Sequence, residues 1–251
     1  MEIEYEIREV FELLKSQIRM HRDIGMDPPF LSPEGLRAFK YNPDVEKPSI
    51  SHSMAEDPAL SLESLRTTIG DCQRCKLSKK RTHIVFGEGS PLARLVFVGE
   101  APGREEDVAG RPFVGEAGKL LTRIIQNGIG LNREDVYICN VIKCRPPNNR
   151  DPEQDEIETC IPFLKEQIRI IRPEVICVLG RVAGRSLLGG DFKITNERGR
   201  WHSYMDIPLM PTYHPAYIVR NPSQENRLKR DVWEDVKKIM KVLGLEVKRN
   251  V

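Results

Sequence analysis

The sequence predicts an α/β fold: a three-layer sandwich with a central four-stranded parallel sheet, preceded by an N-terminal helix and a linker. Three observations predict it. Short apolar runs at 94 to 99, 136 to 142, 175 to 180 and 208 to 213 have the composition of strands buried on both faces. Segments of helical period lie between them, and strands that alternate with helices form a parallel sheet covered on both sides. A chain of 251 residues with 39% apolar content can also bury one substantial core, or one core with an appendage.

Taken in order, Ile3, Ile7, Val10, Phe11, Leu14 and Ile18 share one face of an amphipathic helix within residues 1–26. Residues 27–58 turn to prolines, serines and scattered charge without a period, which reads as a linker. The main domain is expected over 59–251. It opens with a short helix carrying Leu60, Leu62, Leu65 and Ile69, followed by Cys72 and Cys75 and a basic run, Lys76, Lys79, Lys80 and Arg81. The first strand runs into a glycine-rich stretch at 99 to 118 and then a helix at 116 to 128, with Asn127-Gly128 as its stop. After the second strand, Asp151-Pro152 reads as a cap and first helical residue, and Pro162 is expected to end that helix at Cys160. A helix over 161 to 171, the third strand, and a small helix at 181 to 188 follow. Residues 189 to 203 read as an irregular or β-hairpin excursion, then comes the fourth strand. Ser223 is the expected cap of a last helix reaching Leu243.

No apolar run has the length that spans a bilayer, and the start MEIEYEIREV is acidic rather than signal-like, so a cytoplasmic location is expected. A net charge of +2 neither requires nor excludes a polyanionic partner, and local patches must decide.

In a parallel α/β sheet, sites form at the carboxyl ends of the strands. Three strands end in polar candidates: Gly99-Glu100, Asn140 and His214-Pro215. Singly, Asn140 could cap a turn and His214 could be one structural histidine among five; together they converge on one sheet edge. The cysteines make a second constellation. Cys72 and Cys75 stand as C-x2-C, Cys144 follows after 68 residues and Cys160 after 15 more. Four thiolates suit zinc or an iron-sulfur cluster, although the uneven gaps fit no familiar zinc-finger spacing. Cys139 and Cys177 lie inside apolar strands and are assigned to the core.

GEAPG at 99 to 103, GRPFVGEAG at 110 to 118, CNVIKCRPPNNRDP at 139 to 152, HPAYIVRNP at 214 to 222 and the cysteine pattern together resemble the family-4 uracil-DNA glycosylases. The resemblance runs from about Leu60 to Leu243. It implies a monomer that excises uracil from DNA by hydrolysing the N-glycosidic bond, leaving an abasic site for base excision repair. It also implies that Cys72, Cys75, Cys144 and Cys160 hold a 4Fe-4S cluster of structural rather than redox use. Phe113 would stack on a flipped uracil, Asn140 would read its edge, and His214 would donate to its O2. Gly99, Ala101, Gly103 and Glu106 would complete the pocket, with Gly103 and Glu106 closing the side of the thymine methyl. Glu106 also reads as one acid of a solvated run. Better-known uracil glycosylases carry an aspartate where this chain has Ala101, which leaves Glu100 as the nearest acid for a water. DNA contacts are expected from Lys76, Lys79, Lys80, Arg81 and Arg220, with Ile218 the preferred wedge among Tyr217, Ile218 and Val219.

A second class is a non-catalytic iron-sulfur protein that binds damaged DNA. A third, a nucleotide-phosphate binder, lacks a GxGxxG or P-loop spacing. Absorption near about 400 nm would separate an iron-sulfur cluster from zinc.

Overall fold

The computed structural model describes residues 57–246, so the expected N-terminal helix, and the linker up to residue 56, lie outside the described residues. Helix α1 (Pro58–Ile69) starts on Asp57, whose side chain accepts from the Ala59 N–H at 2.9 Å. The four expected strands are β2 (Leu95–Gly99), β3 (Tyr137–Asn140), β4 (Val175–Leu179) and β6 (Ile207–Thr212), and they lie parallel in the order β3-β2-β4-β6. Two short antiparallel edge strands, β1 (Glu88–Gly89) and β5 (His202–Tyr204), extend the sheet to six. The expected excursion at 189 to 203 thus supplies half of a hairpin, turning through Met205 and Asp206 at φ 52° and 63°.

Alternation along the strands makes the three layers. On one face Val96 and Val98 join a core with Leu164 and Ile168 of α4 (Gln154–Ile171) and Ala183 of α5 (Gly180–Leu188). On the other, Leu95 and Phe97 join Leu121 of α3 (Glu116–Arg123) and Val236 and Ile239 of α8 (Glu225–Val242). Each such fully buried side chain contributes about 1.5–3 kcal/mol. Cys139 and Cys177 are both buried in these cores.

Several boundaries differ from expectation, each for a local reason. Helix α3 runs on into a π turn over Ile124–Ile129 and stops at Gly130, φ 84°, whose N–H bonds the Ile125 carbonyl at 2.9 Å. Gly128 instead gives room to Trp233, since a Cβ there would lie 3.3 Å from Cζ3. Pro162 does not break α4. Its ring and Glu158, whose carbonyl it leaves without an N–H, are both exposed to water, while Glu156, Cys160, Leu164 and Ile168 keep one buried stripe continuous. The cap of α4 moves from Asp151 to Glu153, whose N–H bonds the Glu156 carboxylate at 2.8 Å. Asp151 instead pairs with Arg181 at 2.5 Å. Ser223 falls in a 3-10 turn, Pro222–Gln224, that precedes α8. Within 99 to 118 lies a further short helix, α2 (Arg104–Ala109), and short helices α6 (Ile194–Glu197) and α7 (Pro215–Val219) flank β5 and β6. No helix among the described residues is long and apolar enough to cross a membrane.

Candidate active site

At the carboxyl edge of the sheet a cavity of about 470 Å³ is lined by Glu100, Ala101, Gly103, Glu106, Phe113, Asn140, His214 and Arg220. The β2–β3 register places Gly99 opposite Asn140. A side chain at 99 would clash with Asn140 Oδ1 and come within 2.6 Å of Phe113 Cζ, so the strand must end without one. Asn140 is 1% exposed and its Oδ1 has no hydrogen-bond partner among the described residues. An unsatisfied buried acceptor costs about 1–3 kcal/mol, which a ligand N–H would recover. Lys143 fixes the backbone beneath it, donating from Nζ to the Asn140 carbonyl at 2.8 Å and to Gln167 at 2.6 Å.

Phe113 is buried and stacked on His214, ring centroids 5.5 Å apart and 29° between planes. Its φ of 52° lies in the left-handed region, a strain of about 1–3 kcal/mol that its surroundings must hold. Glu106 is part of that support. Its carboxylate accepts from the N–H groups of Gly103 at 3.1 Å, Val114 at 2.9 Å and Gly115 at 3.0 Å, so it is a brace of the loop rather than a solvated acid.

His214 leaves β6 and caps α7. Its Nδ1 accepts from the Ala216 N–H at 3.0 Å, which places the proton on Nε2. Burial, with the charge of Arg220 adding to it, lowers the His214 pKa to about 4. The ring is therefore a neutral donor at pH 7. Gly180 makes the approach possible: it has φ 89°, and a Cβ there would lie 2.9 Å from that of His214.

Three carboxyl groups line the cavity. Glu106 holds backbone N–H groups and Asp151 holds Arg181. Glu100 accepts no side-chain hydrogen bond among the described residues, and burial together with the Asp151 charge raises its pKa to about 7, against the pull of Arg181 and Arg220.

Cys144 and Cys160 are buried in the core against which Cys72 and Cys75, in the segment after α1, are packed. Arg81 Nη1 donates to the Cys72 carbonyl at 2.7 Å and to Cys144 Sγ at 3.7 Å; Arg74 donates to Cys72 Sγ at 3.3 Å and the Lys143 N–H to Cys160 Sγ at 3.3 Å. Burial pushes the Cys144 thiol up to about 12, with Cys160 and Cys75 adding to it against Arg81. No three His, Cys, Asp or Glu side chains among the described residues stand in a metal-holding group. The chemistry of the donor set still suits one: N–H donors reach the sulfurs of Cys72, Cys144 and Cys160, and thiols shed their protons when a cation shares them.

The expected DNA contacts divide. Lys79, Lys80 and Arg220 are exposed, whereas the Lys76 ammonium is paired with Glu153 and Asp155. Arg81 is committed to the cysteine segment and to Asp71, so it is withdrawn from the phosphate set. Ile218 is corrected as the wedge: it is 1% exposed, because α7 turns it into the core, while Tyr217 and Val219 at 40% and 46% face outward. Residues not foreseen for the site include Asp151, Gly180, Arg181, Tyr213, and Ile194 and Thr195 from α6. Gly180 closes the third expected strand, so the strand-end rule could have reached it; nothing in the pattern points at α6.

Removing the Arg220 charge relieves a repulsion that disfavours imidazolium. Arg220→Gln is expected to raise the His214 pKa from about 4 toward 6.5, read by NMR titration of the ring proton; an unchanged value would show that burial alone sets it.

Comparison with known sequences bears on this site. The sequence model of the Uracil DNA glycosylase superfamily matches residues 86–237. A type-4 uracil-DNA glycosylase of Sulfurisphaera tokodaii is 50% identical over 187 residues, spanning 71% of this chain and 83% of that protein. That of Thermotoga maritima is 48% identical over 179 residues, spanning 70% and 92%, and that of Archaeoglobus fulgidus 44% over 194 residues, spanning 73% and 94%. The match takes in the cavity's strand ends from β2 to β6, and this chain belongs to the Uracil DNA glycosylase superfamily.

Proposed function

We propose that the chain is a uracil-DNA glycosylase, carried above all by the unpaired Asn140 Oδ1 beside a neutral His214. Flipping a base costs a few kcal/mol, less for a mispaired uracil, and stacking on Phe113 returns about 1–3 kcal/mol. Asn140 accepts the uracil N3–H through Oδ1 and offers its amide N–H to O4. Cytosine presents the reverse pattern, strands both groups and is rejected by about 10⁴-fold. Glu106, locked by three N–H groups, makes the wall at Gly103 rigid enough to refuse a C5 methyl.

As the glycosidic bond lengthens, the base leaves with negative charge on O2. His214 Nε2–H donates to that oxygen, and Arg220 favours the anion while keeping the ring neutral. One well-placed donor is worth about 3–4 kcal/mol. Glu100 is the carboxyl free to orient a water and take its proton once the sugar is electron-poor. Cleavage at this carbon needs no electrons, so a 4Fe-4S cluster, if bound, would be held by Cys72, Cys75, Cys144 and Cys160 and would supply cross-linking rather than redox chemistry, joining the segment after α1 to the turn after β3 and to α4. Lys79, Lys80 and Arg220 contact phosphates, and Tyr217 or Val219 fills the gap left by the flipped base.

On a uracil-containing oligonucleotide, His214→Ala or Asn140→Ala lowers single-turnover excision at least about tenfold, and wild-type rates in both would sink the site. No excision by the unaltered chain, with DNA binding retained, favours the damage-binding alternative. The Glu100 pKa of about 7 sets the pH profile: the carboxylate forms as pH rises, so excision climbs through pH 7 and falls below it. Glu100→Gln should flatten that limb; an unchanged limb would assign it to another group.

A further inference from the structure

Phe113 is held in its left-handed conformation from two opposite sides. On the side after it, the Val114 and Gly115 N–H groups point at Glu106 Oε1. On the side before it, the Pro112 carbonyl accepts from Arg133 Nη2 at 2.6 Å. Arg133 lies outside the cavity lining, in the 3-10 turn that leads into β3. Its guanidinium is itself fixed on three partners. Nη2 and Nε donate to Glu88 Oε1 at 2.8 and 3.0 Å, and Nη1 donates to Thr122 Oγ1 at 2.9 Å, which in turn donates to the Gly118 carbonyl at 3.0 Å. Arg111 takes the other oxygen of Glu88 at 2.7 Å. Burial pushes the Glu88 carboxyl up, but hydrogen bonds from Arg111 and Arg133 outweigh it and hold its pKa below the ordinary value, so the pair is charged at neutral pH.

Peptide groups on either side of a residue set its φ and ψ. Here the carbonyl before Phe113 is seized by a cation and the N–H after it by an anion. Turning Phe113 back to an ordinary φ would swing both peptides away from their partners. The same turn is pressed by α3, since a Cβ at Gly118 would overlap the Phe113 backbone. The far side of the loop, away from the cavity, is therefore built to keep the ring on His214.

Resting on the glycosylase reading above, we propose that Arg133, oriented by Glu88 and Thr122, is a positioning residue for the stacking face: it acts on the flipped base only through Phe113. Arg133 is the outer jaw of a clamp whose inner jaw is Glu106. A guanidinium can serve three acceptors in one plane, a task that a lysine ammonium of similar reach does not match.

The test is a double-mutant cycle on single-turnover uracil excision. Arg133→Met is expected to slow excision about tenfold or more in the unaltered chain and less than about twofold in a Phe113→Ala background. Equal losses in the two backgrounds would overturn the proposal, since a general structural role is indifferent to Phe113. If Arg133→Met fails to fold, Glu88→Gln, which keeps Arg133 and the carboxylate's shape, is put through the same cycle with the same two outcomes. An unaltered chain that excises no uracil defeats the functional reading instead. In that case the His214 ring proton, which feels the Phe113 ring current, decides: Arg133→Met should shift its NMR resonance toward the value seen in Phe113→Ala, and an unmoved resonance overturns the clamp.

Discussion

The space beyond the last residue of β2 is contested by Asn140 and the Phe113 ring, and the site depends on that strand ending in glycine. With Gly99 opposite Asn140 in the ladder, the amide sits over the strand end where no side chain can stand. The same absence lets the aromatic ring close down on His214. Three elements distant in sequence thus reach one cavity because a single position carries no Cβ. Gly180 repeats the device at the end of β4, where a side chain would push His214 away.

Around this packing, charge is arranged to keep donors and acceptors in useful states. His214 is neutral because its Nδ1 is committed to a backbone N–H and because burial and Arg220 oppose protonation. Glu100, buried beside Asp151, is held near its midpoint at neutral pH. The acids with structural duties are saturated: Glu106 by three N–H groups, Glu156 by Arg150 and the Glu153 N–H, Asp235 by Arg198 and Thr212. Lys143 joins the two constellations, with its N–H on Cys160 and its ammonium on the Asn140 carbonyl. The cysteine region and Asn140 therefore share one buried residue.

Much of this was legible before any coordinates. Four apolar runs foretold four parallel strands, and the strand-end rule brought Asn140 and His214 to one edge. Of the edge strands, β5 is foreseen only as an irregular or β-hairpin excursion and β1 not at all, because two or three residues are too few to show alternation. Pro162 misled because local propensity was outweighed by a stripe of buried residues on the opposite face of α4. Ile218 misled for a related reason: in a five-residue helix, which side chain faces solvent is set by tertiary packing rather than by its place in a motif. The brace on Phe113 could not be read at all, because side-chain bonds to backbone groups 21 residues away leave no periodic signal. Arg81 looked like part of a basic patch until its partners, a carbonyl and a sulfur, were seen.

In the proposed reading, Asn140 and His214 form a ready receptor for one edge of uracil. A crystal structure of the chain with free uracil tests it most directly. The account predicts the base against Phe113, its N3–H on Asn140 Oδ1 and its O2 on His214 Nε2. A base bound elsewhere, or one leaving Asn140 Oδ1 without a partner, would contradict it.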